Sequence, residues 1–210
     1  MRFTLILIAI AALGFVLPLF FVSNTEEFYN TFAFSAENAI KGPYVLITSI
    51  FLHASVFHLL SNVLVLFFFG MAVELELGRK NFLLIFFLGA FAGNLVSIFF
   101  YPLDTIGIGM SAGVFALVGA GMLVKPLDMS YYPLVIPIPL AFFGLAYALY
   151  NAYAFLFNID PSVSYIGHFG GLVVGLAFGF RETGMKKGLE IILATLAIMT
   201  LIPLIRFFWG

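Results

Sequence analysis

The chain has 210 residues, of which 63% are hydrophobic and only 9% carry a charge. Soluble domains contain roughly 45–50% apolar and about 25% charged residues, so this composition excludes a soluble fold and predicts an all-α polytopic membrane protein. The net charge of −1 gives no sign of a nucleic-acid partner, and the lack of cysteine excludes disulfides and thiolate chemistry.

The apolar segments predict seven membrane spans, because a helix needs about 20 apolar residues to cross a bilayer. The first is interpreted as a retained span, since its apolar run is too long for a typical signal peptide and no A-x-A cleavage site follows. Residues 23–43 are polar but rich in aromatic side chains, and we expect them to lie in the membrane interface. The predicted spans are residues 4–22, 53–78, 81–101, 111–124, 139–157, 165–180 and 188–208, within one membrane domain.

Basic residues predict the orientation of these spans. Seven of the nine Lys and Arg residues fall in the N-terminus and the even-numbered loops, whereas only Lys41 and Arg206 fall on the other side. Since cytoplasmic loops are enriched in Lys and Arg, the N-terminus is expected in the cytoplasm and the C-terminus outside. The second, fourth and sixth spans would then begin at the outer face. The seven residues are Arg2, Arg79, Lys80, Lys125, Arg181, Lys186 and Lys187.

Ser111 follows the glycine-rich turn at residues 107–110 and begins the fourth span. The N–H groups at a helix N-terminus lack partners within the helix, and the helix dipole is positive there. Negative charge near this hydroxyl would therefore be stabilised. Serine is also a favoured N-cap, which is the plainer interpretation of a single serine at this place.

His53, His58 and Asn62 lie at the beginning of the second span. His58 and Asn62 are four residues apart and therefore share one helix face. Polar groups on the inner face of a membrane helix are usually functional, although hydrogen bonds between helices are an alternative. His53 is expected to precede the helix and to hold the loop. A zinc site is disfavoured, because H-E-x-x-H requires a different histidine spacing and an intervening glutamate.

The sixth span carries His168 and a glycine at every fourth position from residue 167 to residue 179. Rows of small residues allow membrane helices to approach closely, and such a row is also consistent with packing alone. The fourth span offers a matching surface of small residues. If these two faces pack together, His168 reaches Ser111, and a neutral imidazole beside a serine hydroxyl is a general base for a nucleophile. The matching small residues are Ala112, Ala116, Gly119 and Ala120.

Together the motifs H-x-x-x-x-H-x-x-x-N at residues 53–62, G-x-S at 109–111 and H-x-x-G-x-x-x-G at 168–175 resemble the rhomboid family of intramembrane serine proteases. They occur in the order of that family. The resemblance implies a six-helix catalytic core over about residues 1–182 and an added seventh span at about 188–208. The absence of targeting or soluble extensions suits a prokaryotic plasma membrane.

The resemblance also implies roles for individual residues. Ser111 would be the nucleophile and His168 the general base and acid, a dyad without a third member, a metal or a cofactor. The oxyanion hole would consist of the Ser111 backbone N–H and the side chains of His58 and Asn62. Phe115 would stack on His168. The other supporting residues are Gly109, His53, Gly171 and Gly175, and Glu74 with Arg79 resembles the motif at the cytoplasmic end of the second span.

The resemblance implies that the substrates are transmembrane segments of proteins and that the protein works in membrane lipid. No nucleic-acid partner is expected. We expect the substrates to enter laterally past the fifth span. Two positions depart from the family pattern: Tyr44-Val45 stands where many members have Trp-Arg, and Ala112 stands where some have glycine after the serine. The residues expected at the lateral opening are Pro137, Pro139, Tyr150, Asn151 and Tyr153.

Two other interpretations are weighed against a protease. G-x-S-x-G at residues 109–113 also fits the nucleophile elbow of α/β-hydrolases, with Ser111, Asp160 and His168 in the right order. That elbow requires a parallel sheet, which this composition excludes, so Asp160 is expected to be a loop residue. The second alternative is a transporter or a non-proteolytic membrane-protein binder. Transporters usually place ionisable groups near the midplane and contain internal repeats, and neither feature is found here.

The predicted orientation can be tested by labelling, because the chain has no cysteine of its own. Asp104→Cys should react with a membrane-impermeant maleimide in intact cells, since the loop after the third span is expected outside. Lys186→Cys should react only after permeabilisation. The reverse pattern would contradict the orientation.

Overall fold

Ten α-helices make up most of the described chain. The computed structural model describes residues 2–21, 23–128 and 138–209, without the side chains of residues 21 and 202–209. The predicted all-α class is confirmed. The helices are α1 (Arg2–Phe21), α2 (Thr25–Phe32), α3 (Ala36–Lys41), α4 (Val45–Thr48), α5 (Val56–Val65), α6 (Met71–Ser97), α7 (Ser111–Val124), α8 (Leu140–Leu156), α9 (Tyr165–Thr183) and α10 (Met185–Trp209).

The second and third predicted spans form one apolar helical run of 42 residues, Val56–Ser97. It contains α5, a π-helical segment (Leu66–Gly70) and α6. Gly78 has a φ of 78° and breaks the run. The chain reverses there, because Gly70 before the break lies beside the Phe82 ring after it. Among the described residues, this run and Arg2–Phe20 are long and apolar enough to cross a membrane. Helices α7 and α8 are apolar but shorter.

The sixth span differs from its predicted end. Helix α9 continues to Thr183 and ends at Gly184, which has a φ of 82° and whose N–H bonds to the Phe180 carbonyl. Helix α10 begins at the next residue. Hydropathy indicates where a span leaves the apolar layer, whereas a helix continues as long as its backbone bonds are satisfied. Helices α9 and α10, which correspond to the sixth and seventh predicted spans, are therefore joined by Gly184 alone.

The N-terminal segment between α1 and α5 is tied to the turn that precedes α7. Phe34 and Gly107 form an antiparallel bridge, with N···O distances of 3.0 and 2.7 Å in the two directions. Thr48 Oγ1 donates to the Phe32 carbonyl at 2.6 Å and ties α4 to the end of α2. The interfacial position of this segment stays a prediction.

Helix α7 lies at the centre of the protein, and every residue from Gly113 to Leu123 is buried. It is apolar on all sides, which is the pattern of a helix surrounded by protein. Helices α6 and α9 pack against it over most of its length, and α8 makes a further contact. The residue at its first position is therefore held from several directions.

Helices α6, α7 and α9 meet where side chains are smallest. A Cβ atom at Gly171 or Gly175 of α9 would overlap the carbonyl oxygens of Ala112 and Ala116 in α7. On the other side of α7, a Cβ atom at Gly89 of α6 would overlap the Cβ of Ala116. Side chains there would force the backbones apart, so the glycines set the distance between the helices.

Glu74 fastens the first helix to the second span. Its buried carboxylate accepts bonds from the backbone N–H groups of Phe3 and Thr4 at 3.1 and 2.9 Å, and from Thr4 Oγ1 at 2.8 Å. These N–H groups belong to the first turn of α1, which has no acceptors within the helix. Arg79, which the resemblance pairs with Glu74, lies over the Phe3 ring at 5.7 Å.

Gly175→Ala should lower the free energy of unfolding by about 1–3 kcal/mol, because the new methyl group presses on a backbone carbonyl that cannot rotate away. Gly179→Ala is the matched control, since its nearest contact is the tip of the Leu123 side chain at 2.9 Å. The better helix propensity of alanine, about 1 kcal/mol, should offset that crowding. Thermal unfolding in detergent measures the stability of the two variants. Equal effects at the two positions would contradict the close-packing argument.

Candidate active site

The turn before α7 holds Ser111 at the first position of that helix. Gly109 in this turn has a φ of 111°, a conformation that residues other than glycine rarely adopt. The Gly109 N–H donates to the Ser49 carbonyl at 2.9 Å. The first backbone bond of the helix runs from the Val114 N–H to the Met110 carbonyl. The N–H groups of the preceding residues, including Ser111, therefore lie at the positive end of the helix dipole.

The structure brings Ser111 and His168 together, as the sequence predicted. His168 Nε2 lies 2.8 Å from Ser111 Oγ. His168 is in the first turn of α9, whose N-cap Ser164 accepts from the Gly167 N–H at 3.2 Å. The imidazole is 9% exposed. A serine hydroxyl therefore meets an imidazole nitrogen in a water-poor part of the protein.

Aromatic rings fix the plane of the imidazole. Phe115 stacks on His168 with a centroid distance of 4.4 Å and an interplanar angle of 12°, the contact expected from the sequence. Tyr147 stacks on the opposite face of Phe115 at 4.6 Å. Tyr165 meets the imidazole edge-on at 6.1 Å. Neither tyrosine was predicted from the sequence to contact this pair of rings.

Asn151 is a further partner of His168 that the sequence analysis placed elsewhere, at the lateral opening. Its side chain is 2% exposed, and Oδ1 lies 2.7 Å from His168 Nδ1. Its Nδ2 donates to the Tyr165 carbonyl at 3.1 Å. A polar side chain in an otherwise apolar membrane helix is costly unless it is paired, and that was the signal that could have found it.

The other residues expected at the opening divide into three cases. Tyr150 and Tyr153 are 53% and 52% exposed, on the outer surface of α8. Pro139 is the N-cap of α8. Pro137 lies outside the described residues, as does Pro133 of the preceding loop. Asn151 is therefore buried whereas Tyr150 and Tyr153 are exposed, and the lateral opening itself stays a prediction.

His58 lies against the serine turn. A Cβ atom at Gly109 would be 2.7 Å from His58 Nε2, so only a glycine leaves room for this ring. Asn62 is buried one helical turn further, and its Nδ2 donates to the His58 carbonyl at 2.9 Å. Because an amide nitrogen carries two hydrogens, this bond leaves a second hydrogen for another acceptor.

His53 precedes α5, as expected, and contacts the loop around it. Its Nδ1 lies 3.3 Å from the Phe51 carbonyl oxygen, and its own carbonyl accepts from the Tyr29 hydroxyl at 3.5 Å. Its ring meets the edge of the His58 ring at a centroid distance of 4.9 Å. Its buried Nε2 has no hydrogen-bond partner among the described residues.

Asp160 is an exposed residue of the loop between α8 and α9. Its Oδ1 accepts from the Ser162 hydroxyl at 2.6 Å and from the Ser162 N–H at 2.9 Å, and these bonds lower the pKa of the carboxyl. In the described residues, the bridge between Phe34 and Gly107 is the only β-type pairing. No sheet surrounds Ser111 there, so the α/β-hydrolase alternative is wrong.

The fold and the site describe an all-α membrane protein with a serine and a histidine paired between two closely packed helices. Residues 41–183, more than half of the chain, match the family model described as Rhomboid domain. The chain therefore belongs to the rhomboid family and is a multi-pass membrane protein.

Three relatives illustrate the similarity. The chain is 33% identical over 135 residues to "RHOMBOID-like protein 1" of Arabidopsis thaliana, covering 64% of this chain and 33% of the relative. It is 28% identical over 147 residues to "Putative rhomboid protease YdcA" of Bacillus subtilis (strain 168), with 68% of each chain covered. It is 26% identical over 132 residues to "Rhomboid-like protease 3" of Toxoplasma gondii, covering 63% and 49%. The chain thus spans only a third to a half of two of these relatives.

Gly109→Ala should destabilise the protein by about 1–3 kcal/mol, because alanine at this positive φ is strained and its Cβ would press on the His58 ring. Gly107→Ala in the same turn is the matched control, since the nearest atom to its Cβ would be a carbon of the Phe34 ring at an ordinary 3.6 Å. Thermal unfolding in detergent compares the two. A Gly109→Ala protein as stable as Gly107→Ala would contradict the close contact with His58.

Proposed function

We propose that this protein is an intramembrane serine endopeptidase in which Ser111 is the nucleophile and His168 is the general base and acid. The observation that carries the proposal is the 2.8 Å contact between Ser111 Oγ and His168 Nε2 at the N-terminus of a buried helix. Membership of the rhomboid family supports it, as do relatives whose names describe them as proteases. Cofactor and metal have no part in this mechanism.

In the first step, Ser111 Oγ attacks the carbonyl carbon of the scissile peptide bond while His168 Nε2 takes its proton. Negative charge then develops on the carbonyl oxygen. The Ser111 N–H, at the positive end of α7, is one donor for this oxyanion, and the side chains of His58 and Asn62 are the other two. Each such donor is typically worth about 10²–10³ in rate. Asn62 would share its amide between this oxygen and the His58 carbonyl.

In the second step, the tetrahedral intermediate collapses and the C–N bond breaks. His168 gives its proton to the leaving amine, and an acyl-enzyme remains on Ser111. Water then attacks the ester carbonyl as His168 again takes a proton. When that proton returns to Ser111 Oγ, the carboxylic acid product leaves and loses its own proton to water. The site must therefore admit water at this stage, although the resting imidazole is largely buried.

We propose transmembrane segments as substrates, within membrane lipid. A membrane helix hides its peptide bonds in backbone hydrogen bonds, so the segment must partly unwind before Ser111 can reach a carbonyl. Small and helix-destabilising residues near the cut would lower the free energy of that unwinding. Lateral access past α8 is supported by the exposed aromatic side chains of Tyr150 and Tyr153.

The proposed arrangement places cleavage in the outer leaflet, with the N-terminus in the cytoplasm and the C-terminus outside. We also propose one membrane domain, with a catalytic core over about residues 1–182 and α10 as an added seventh span. Packing of α10 supports the single domain, because its Ile191, Ile192 and Thr195 line a cleft with residues of α7 and α8. Arg206, which enters the charge argument, lies where side chains are not described.

Ser111→Ala should reduce cleavage of a single-span substrate in liposomes by about 10⁴-fold or more, since no other group can form the acyl-enzyme. His168→Ala should have a similar effect. A fluorophosphonate should label the wild-type protein on Ser111 and neither variant. Thermal unfolding close to that of the wild type controls for folding. Cleavage that persists in folded Ser111→Ala would refute the proposal, and a protein that neither cleaves nor reacts would favour the transporter or binder alternative.

A further inference from the structure

The contact between Ser111 and His168 does not determine which nitrogen of the His168 imidazole carries the proton. We propose that Asn151 is a positioning residue that fixes which nitrogen of His168 carries the proton. The inference rests on the proposed function, because it concerns the base of that reaction. It adds a third side chain to a site that the sequence analysis described as a dyad.

The Tyr165 carbonyl determines how the Asn151 amide is oriented. A carbonyl oxygen can only accept a hydrogen bond, so the amide atom 3.1 Å from it must be the nitrogen. The amide oxygen then faces His168 Nδ1 at 2.7 Å. Since that oxygen can only accept, Nδ1 must carry a hydrogen. The orientation of the Asn151 amide is therefore set by the Tyr165 carbonyl, which can accept a hydrogen bond but cannot donate one.

The tautomer of His168 follows directly. A neutral imidazole has one protonated nitrogen, and with the proton on Nδ1 the lone pair is on Nε2. Nε2 is the nitrogen 2.8 Å from Ser111 Oγ. The Ser111 hydroxyl can therefore donate to it, which is the arrangement that a general base requires. In the other tautomer, an N–H group would point at the hydroxyl and the base would be absent.

Ring stacking does not determine which nitrogen of His168 carries the proton. The Phe115 ring fixes the plane of the imidazole, but a face-to-face contact is equally compatible with a proton on either nitrogen. Ser111 does not determine this either, because a hydroxyl can donate or accept. Among the described contacts of the imidazole, only Asn151 and its bond to the Tyr165 carbonyl discriminate between the tautomers.

An amide suits this position better than a carboxylate. Asn151 is 2% exposed and lies on an apolar helix, where a second buried charge would be costly whenever His168 is neutral. An amide oxygen accepts from Nδ1 in both the neutral and the protonated imidazole. It can therefore hold the ring through the whole proton cycle without adding a charge.

Asn151→Leu and Asn151→Asp separate positioning from packing. Leucine removes the acceptor, so kcat should fall by about 10²–10⁴-fold with KM within about 3-fold of the wild type, as when the orienting group of a catalytic histidine is lost. Aspartate keeps an acceptor for Nδ1 but loses the donor to the Tyr165 carbonyl. Its kcat should stay within about 10-fold of the wild type. The rate of Ser111 labelling by a fluorophosphonate should follow the same order.

A spectroscopic readout does not depend on activity. The protein has three histidines, so ¹⁵N NMR of the imidazoles in detergent can be assigned by single substitutions. Wild-type His168 should be protonated on Nδ1 alone, and Asn151→Leu should show a mixture of tautomers. Asn151→Ala provides the same comparison if the leucine variant does not fold.

The stability control is Ser97→Ala. It removes the 3.0 Å bond between Ser97 Oγ and Ser164 Oγ, which joins α6 to the start of α9 without touching His168. Its kcat should equal that of the wild type. If kcat fell as much in Asn151→Asp as in Asn151→Leu, the effect would belong to the lost donor to the Tyr165 carbonyl. That result would contradict the role proposed for the acceptor of Nδ1. Wild-type kcat in Asn151→Leu would overturn the positioning role while Ser111→Ala remained inactive, whereas active Ser111→Ala would refute the protease itself.

Discussion

The contact between α7 and α9 is the constraint on which the rest of the site depends. Carbonyl oxygens of α7 occupy the space that side chains at Gly171 and Gly175 would otherwise fill. Lipid is as apolar as a leucine side chain, so close packing, and not the hydrophobic effect, holds membrane helices together. His168 lies one turn before Gly171 on the same helix, and this short separation between the axes is what lets its imidazole reach Ser111.

The site is assembled from segments that are distant in the sequence, and each supplies a different constraint. The N-terminal segment holds the serine turn through the Phe34–Gly107 bridge and the bond from Gly109 to Ser49. Helix α5 places His58 against that turn, and α8 supplies Asn151. Ser111 and His168 therefore have little freedom to move, because their supports belong to several helices that are themselves packed around α7.

Much of this arrangement could be predicted. Runs of apolar residues are a local property, so the predicted spans fall on the long helices. The bounds differ at α6, which ends at Ser97, at α9, which continues to Thr183, and at α10, which begins at Met185. The meeting of Ser111 with His168 was predictable because two rows of small residues matched. The contact of Asn151 with His168 was not predicted, and the reason is physical. Helix α8 is almost uniformly apolar, so its hydropathy does not indicate which face turns inward, and the Asn151 amide was the signal left to use.

The sequence by itself determined the class of protein, the apolar segments that form its long helices and the resemblance to the rhomboid family, and it singled out Ser111 and His168 as a pair. The tertiary structure alone decided the rotation of α8 about its axis, the partner of His168 Nδ1, the bond from Asn62 to the His58 carbonyl and the position of His58 against Gly109. The rotation of a helix is set by contacts with residues far away in the chain. Composition and local periodicity carry little information about such contacts when almost every position of the helix is apolar.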